Sequence, residues 1–235
     1  SGVMQTRMQP IRKVFSRFPR LARDVGRSLG KEIELELIGE ETDLDKNLVE
    51  ALADPLVHLV RNSMDHGIES PAEREARGKP RAGRVQIAAE QQGDRISISV
   101  RDDGAGIDPE KLREKAVKKG LISAEAAEKL GHGESLDLIF MPGFSTREEV
   151  SDISGRGVGM DVVKSRIGKL NGTVEIESQV GSGSCIRVEV PLTLAILPTL
   201  MVRIGERTYA FPLSHVLERS EERRVGKECM RPWGC

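Results

Sequence analysis

Along the first thirty residues the apolar positions Met4, Met8, Ile11, Phe15, Phe18, Ala22, Val25 and Leu29 recur alternately four and three residues apart. That spacing is a coiled-coil seam. Pro10 and Pro19 interrupt it and predict a kinked or broken helix packed on a partner; the same pattern also suits a helix lying on its own domain. After Gly30 the period drops to two. In "KEIELELIGE" Ile33, Leu35 and Leu37 alternate with charged residues, which predicts a strand with one buried face. Helical spacing returns in "DKNLVEALADPLVHLVRNSMDHG", where Asp54 and Pro55 are placed to cap and open a second helix and Gly67 to end it. In "SPAEREARG", Ser70, Pro71 and Glu73 form a capping-box signature.

Two alternating runs, "RVQIAAE" and "RISISVRD", predict a hairpin turning at Gly93 and Asp94. From Asp108 to Gly159 the chain runs through short helical pieces and glycines, a length that in a compact domain points to a functional or mobile insertion. A helix "MDVVKSRIGKL" then ends at Asn171 and Gly172, and the strands "TVEIES" and "CIRVEVPLTL" follow across a Gly181–Gly183 turn. The order predicts an α/β two-layer sandwich, a mixed sheet with helices on one face. Beyond Leu194 the pattern changes to short strands around Gly205 and Glu206, the start of a small β domain. The basic end "ERRVGKECMRPWGC" follows no periodicity and reads as a frayed or non-native tail.

Composition narrows the function classes. The 235 residues, 38% of them hydrophobic, suffice for one large or two modest cores. A formal net charge of −1 within 31% charged residues argues against a nucleic-acid or membrane surface. No apolar run approaches the roughly 20 residues of a transmembrane segment, and the start lacks a signal-peptide pattern, so a cytoplasmic location is expected. Cys185, Cys229 and Cys235 make no metal-spaced cluster, and Cys185 is expected to be a buried thiol in a strand.

Three places carry candidate chemistry. At "RDDGAGID" strand parity puts Asp102 on the apolar face with Ile96, Ile98 and Val100, and Asp103 on the wet face. A carboxylate aimed into a core is costly unless a donor meets it. The plainer alternative is a strand end capped by an Asp-Gly turn. On the helix before it, His58, Asn62 and His66 recur every fourth residue with Asp65 nearby, a polar stripe opposite Leu56, Leu59, Val60 and Ser63. The amide oxygen of Asn62 suits Mg²⁺, and imidazoles suit phosphate oxygens; zinc lacks a cysteine or a third well-placed histidine. Finally, Gly155, Gly157 and Gly159 precede a helix whose N-terminus suits phosphate, without a Rossmann spacing or a Walker lysine.

Taken in order, "HLVRNSMDHGIES", "RDDGAGID", "IFMPGFST" and "GRGVGMDVV" resemble the N box, first glycine box, lid F box and second glycine box of the chemotaxis histidine kinases (CheA). The resemblance runs from about residue 4 to about 218. It implies the Bergerat (GHKL) ATP-binding fold: the end of a dimerisation helix at 1–30, an ATP-binding kinase domain at 31–193, a truncated SH3-like regulatory domain at 194–220 and a tail at 221–235. It further implies a protein histidine kinase using ATP and Mg²⁺. Asp102 would accept from the adenine amino group, Asn62 would hold Mg²⁺, and His58 and His66 would meet the phosphates. Gly157 and Gly159 would lie under the triphosphate, with Arg61, Asp65, Gly104, Gly106, Ser145, Thr146, Gly155, Val158 and Met160 completing the site. Gyrase-like and chaperone-like ATPases of the superfamily place a glutamate where His58 stands, so the resemblance favours transfer to a nucleophile over hydrolysis. Its implied partners are a separate phosphoacceptor histidine domain, response regulators, a CheW-like adaptor, chemoreceptors and a second copy in a homodimer. An ATPase and a catalytically inert scaffold are the alternatives. None of the four histidines, His58, His66, His132 and His215, has the setting of an exposed helical phosphoacceptor.

Overall fold

The computed structural model describes residues 8–144, 159–192, 199–204 and 207–212. In chain order these form β1 (Met8–Pro10), α1 (Arg12–Phe15), α2 (Phe18–Leu29), β2 (Ile33–Ile38), β3 (Asp43–Asp45), α3 (Lys46–Asn62), a π-helical turn (Ser63–Gly67) and α4 (Pro71–Ala76). The strands β4 (Gly83–Gln92) and β5 (Arg95–Asp102) lead into α5 (Pro109–Lys118), α6 (Ala124–Lys129), α7 (His132–Asp137) and a 3₁₀ turn (Leu138–Phe140). Then come α8 (Met160–Lys169), β6 (Thr173–Gln179), β7 (Gly183–Pro191), β8 (Thr199–Ile204) and β9 (Arg207–Pro212).

Five strands form one mixed sheet in the order β2-β4-β5-β7-β6, with β2 parallel to β4 and the other pairs antiparallel. The β4–β5 hairpin turns at Gly93, whose positive φ of 65° suits a residue without a side chain. Alternate residues of the central strands, Val85, Ile87, Ile96, Ile98, Val100, Ile186, Val188 and Val190, are buried with Leu48, Leu52, Leu56 and Leu59 of α3 and with Val163 and Ile167 of α8 in one core. This is a two-layer α/β sandwich. Cys185 is buried in β7, as its place in the pattern predicts.

Two sequence expectations give way to packing. The N-terminal seam is filled from within: Ile11, Phe15, Phe18, Ala22 and Val25 are buried in the same core as the sheet, and Phe15 and Phe18 rings stand 5.6 Å apart. These side chains are therefore occupied inside their own domain, and the breaks fall where the prolines predict, with Pro10 in β1 and Pro19 in the first turn of α2. Similarly, Pro55 does not start a helix. α3 runs through it from an Asp45 cap that accepts the Asn47 N–H at 2.8 Å. The missing N–H would have reached the carbonyl of Ala51, which lies on the exposed side where water can satisfy it. An interior proline costs about 3 kcal/mol. Four fully buried leucines of α3, each contributing about 1.5–3 kcal/mol, outweigh it.

The insertion after β5 builds a small core of its own from Ala116, Leu138 and Phe144, with Leu112, Leu121, Ile122, Leu130, Ile139 and Met141 packed around it. The chain divides into compact units at 1–195 and 196–235. In the second unit β8 and β9 pair antiparallel; the Gly205-Glu206 turn and residues 213–235 lie outside the described residues. Among the described residues no helix is long and apolar enough to cross a membrane.

Candidate functional site

Asp102 is the last residue of β5, opposite Val85 on β4 and Ser184 on β7. Only 5% of it is exposed, on the buried side that strand parity selects. One carboxylate oxygen accepts the Gly104 N–H at 3.0 Å, and the Ser184 N–H and the Ser63 hydroxyl also donate to the group. Burial pushes its pKa up from 3.8 to about 6 against the pull of those donors, and the neighbouring charge of Asp103 raises it further. Among the described residues no cation pairs with it.

Glycines let backbone close around this carboxylate. A Cβ on Gly67 would lie 3.0 Å from the Asp102 carboxylate, and one on Gly104 would lie 2.0 Å from the Gly67 carbonyl oxygen. The two segments are tied by the Ala105 N–H donating to that carbonyl at 2.9 Å. Gly106, with φ of 70°, carries the chain on toward Gln179. Asp103 points the other way. It accepts from the Arg84 N–H and from Arg74, both at 2.9 Å, and so orders the turn.

The second wall is the end of α3. The Ile68 N–H donates to the Ser63 carbonyl at 3.0 Å, closing a π turn that uses more residues per turn than an α-helix. His58 and Asn62 lie on α3, and the buried Ser63 and Met64 open the turn that carries the chain on to His66. His66 lies in that turn, with 56% of its side chain exposed and Asp65 at 3.7 Å. His58 is half-buried, and burial, with the charges of Arg61 and His66 adding to it, lowers its pKa and keeps the ring neutral. The amide nitrogen of Asn62 donates to the Met160 sulfur at 3.2 Å, which leaves the amide oxygen as the free end. Met160 opens α8, whose N-cap is Gly159 and whose N-terminus has no side-chain cap. Residues 98 apart in sequence are thus brought together.

Ser145, Thr146, Gly155, Gly157 and Val158 lie outside the described residues. Sequence reasoning did not single out Ser63 as a donor to Asp102. It also missed two lysines that hold the site's backbone. Lys31 donates to the Met64 and Asp65 carbonyls, and Lys79 to the Asp103 and Gly104 carbonyls. The only local signal for either was a lysine beside a glycine or proline at an element boundary.

The family of histidine kinase-, DNA gyrase B- and HSP90-like ATPases matches residues 51–194, more than half of the chain. The chain is 56% identical over 217 residues to the sensor histidine kinase CheAY of Helicobacter pylori, covering 92% of this chain and 27% of that protein. It is 51% identical over 222 residues to the chemotaxis protein CheA of Salmonella typhimurium, covering 94% of this chain and 33% of that protein. The chain therefore spans about a quarter to a third of the length of these relatives. Among solved structures, the catalytic domain of histidine kinase ThkA matches with a TM-score of 0.47 at 21% identity, over 78% of this chain and 91% of that one.

Proposed function

Because the chain belongs to the family of histidine kinase-, DNA gyrase B- and HSP90-like ATPases, we propose that its residues 31–193 bind Mg-ATP and pass the γ-phosphate to a histidine on a separate phosphoacceptor domain. The observation that carries this reading is the buried Asp102 carboxylate, unpaired by any described cation and walled by Gly67 and Gly104. A carboxylate in that state gains from an outside N–H donor, and the exocyclic amino group of adenine is one. Asn62 presents an amide oxygen, a ligand suited to Mg²⁺. Bound there, Mg²⁺ would supply charge neutralisation for the phosphates.

His58 supports transfer over hydrolysis. Where ATPases of the superfamily place a glutamate, this chain has an imidazole whose basicity is weakened by burial and by nearby positive charge. Such a group donates a hydrogen bond to phosphate but activates water poorly. An imidazole on the acceptor domain is the better nucleophile. The unassigned edges of the site fall to Arg61, Asp65, His66, Gly104, Gly106 and the residues of the two glycine-rich segments around Ser145, Thr146, Gly155, Gly157, Val158, Gly159 and Met160. The relatives are named as a sensor histidine kinase and a chemotaxis protein. For this chain we propose the setting that the sequence resemblance implies, a cytoplasmic homodimer feeding response regulators under the control of chemoreceptors and a CheW-like adaptor.

The test is to incubate the chain with labelled Mg-ATP, alone and with a separately supplied phosphoacceptor domain. Acid-labile label is expected on the acceptor domain and not on the chain. Steady phosphate release without acceptor would instead assign a hydrolase, and failure to bind ATP with Mg²⁺ present would overturn the nucleotide reading altogether.

A further inference from the structure

An arginine with no exposed surface is an expensive feature unless every donor finds a partner. The Arg74 side chain is 0% exposed, and each of its three guanidinium nitrogens finds a partner. It donates to the Pro80 carbonyl at 2.7 Å, to Glu69 at 3.1 Å, and to the carboxylate and carbonyl of Asp103 at 2.9 and 3.3 Å. Lys79 joins this network from the other side. Its ammonium group has three donors. One goes to Glu69 at 2.9 Å, one to the Asp103 carbonyl at 2.9 Å and one to the Gly104 carbonyl at 2.6 Å.

The use of the last two donors is what sets Lys79 apart. The Asp103 carbonyl and the Gly104 N–H are opposite ends of one planar peptide unit, and the Gly104 carbonyl and the Ala105 N–H are opposite ends of the next. Lys79 holds the carbonyl end of both. The amide ends are the groups that serve the site: Gly104 N–H meets the Asp102 carboxylate at 3.0 Å, and Ala105 N–H meets the Gly67 carbonyl at 2.9 Å. One ammonium group thereby sets the orientation of two peptide planes, and through them the carboxylate and the spacing of the two glycine walls. We propose that Lys79 is a positioning residue for nucleotide recognition, clamping the backbone that aims Asp102, with Glu69 and Arg74 holding the clamp. This rests on the nucleotide reading of Asp102 given above.

A brace that served stability alone would not act selectively on these two peptides. Hydrogen exchange on the ligand-free chain separates the cases. In Lys79→Met the amides of Gly104 and Ala105 should exchange at least about tenfold faster, while those of Leu59 and Val60 in α3 keep their rates. ATP affinity should fall about tenfold, and the preference for ATP over GTP should shrink with it, because the misaimed group is the one that reads the adenine amino group. Lys79→Arg, which keeps a cation with several donors, should restore part of both. Arg77→Ala removes a contact to Glu69 at 3.3 Å but none to the loop carbonyls, and should change neither.

If Lys79→Met does not fold, Lys79→Gln retains two donors on a shorter stem and should show the same selective exchange at smaller amplitude. Unchanged exchange at Gly104 and Ala105, or a uniform rise across the domain, would overturn the proposal. So would a loss of ATP affinity without the exchange signature. Selective exchange in a chain whose wild type never binds ATP would leave the clamp standing and remove the nucleotide reading instead.

Discussion

Holding Asp102 ionised should cost the folded protein stability, and that cost is measurable without any nucleotide. Burial raises its pKa from 3.8 to about 6. A shift of two units corresponds to about 3 kcal/mol. The sign follows from proton counting: between pH of about 4 and about 6 the folded state binds the proton and the unfolded state does not, so this group's contribution falls as pH rises through that window. Above it the full penalty applies. Asp102→Asn removes the charge and keeps one oxygen to accept the Gly104 N–H. Against that gain stands the amide NH₂, which turns a donor toward the donors Ser63 and Ser184 and goes unpaired there, a cost on the order of 1–2 kcal/mol. The variant should therefore be more stable than wild type by about 1–2 kcal/mol near pH 7.5, and equal or less stable near pH 4. Urea unfolding of both proteins at several pH values across this range reads the difference directly. Taking that difference cancels His58, whose lowered pKa acts in the opposite sense in both proteins by withdrawing stability as pH falls below its ordinary value. The same substitution should weaken ATP binding by about 1–3 kcal/mol, since the amide can turn a donor toward the adenine amino group. A stability difference that stays flat with pH would refute the reasoning, because the substitution removes the group whose raised pKa sets the slope.

Three other substitutions test neighbouring parts of the site. Asp103→Asn leaves the buried Arg74 with Glu69 as its one carboxylate, and should lower unfolding stability by about 1–2 kcal/mol while ATP affinity stays within about threefold of wild type. Asn62→Ala should reduce ATP affinity measured with Mg²⁺ to the value wild type shows in EDTA, and abolish transfer to an acceptor domain, with an unchanged urea midpoint. In Gly104→Ala the new Cβ would stand 2.0 Å from the Gly67 carbonyl, so the backbone must move; a loss of at least about 1–3 kcal/mol and rapid exchange of the Ala105 amide are expected in unfolding and exchange measurements.

Much of this architecture was legible residue by residue, because the signals are set by the backbone a few residues at a time. A period of two put Asp102 among buried positions before any partner strand was known, and the same logic placed Ile33, Leu35 and Leu37 on one face of β2. Ser70 and Glu73 make both bonds of the capping box within four residues. Gly93 turns the hairpin for the same local reason. Other features depended on what arrives from elsewhere. The N-terminal seam has the spacing of a coiled coil, and only the sheet decides that Phe15 and Phe18 pack inward. Pro55 reads as a helix start until buried leucines on both sides of it make one helix worth its cost. Helical spacing draws a stripe through His66, and only the folded chain decides that it sits in a π turn with its side chain exposed. Lys79 looks like a solvated lysine in a loop, and it becomes a clamp because folding brings two carbonyls 24 and 25 residues away, and a buried glutamate, within reach of one ammonium group. Periodicity is a property of the chain's own geometry, so sequence determines it. The partners of a buried charge are determined by which distant segments exclude water around it, and those are assembled only in the tertiary structure.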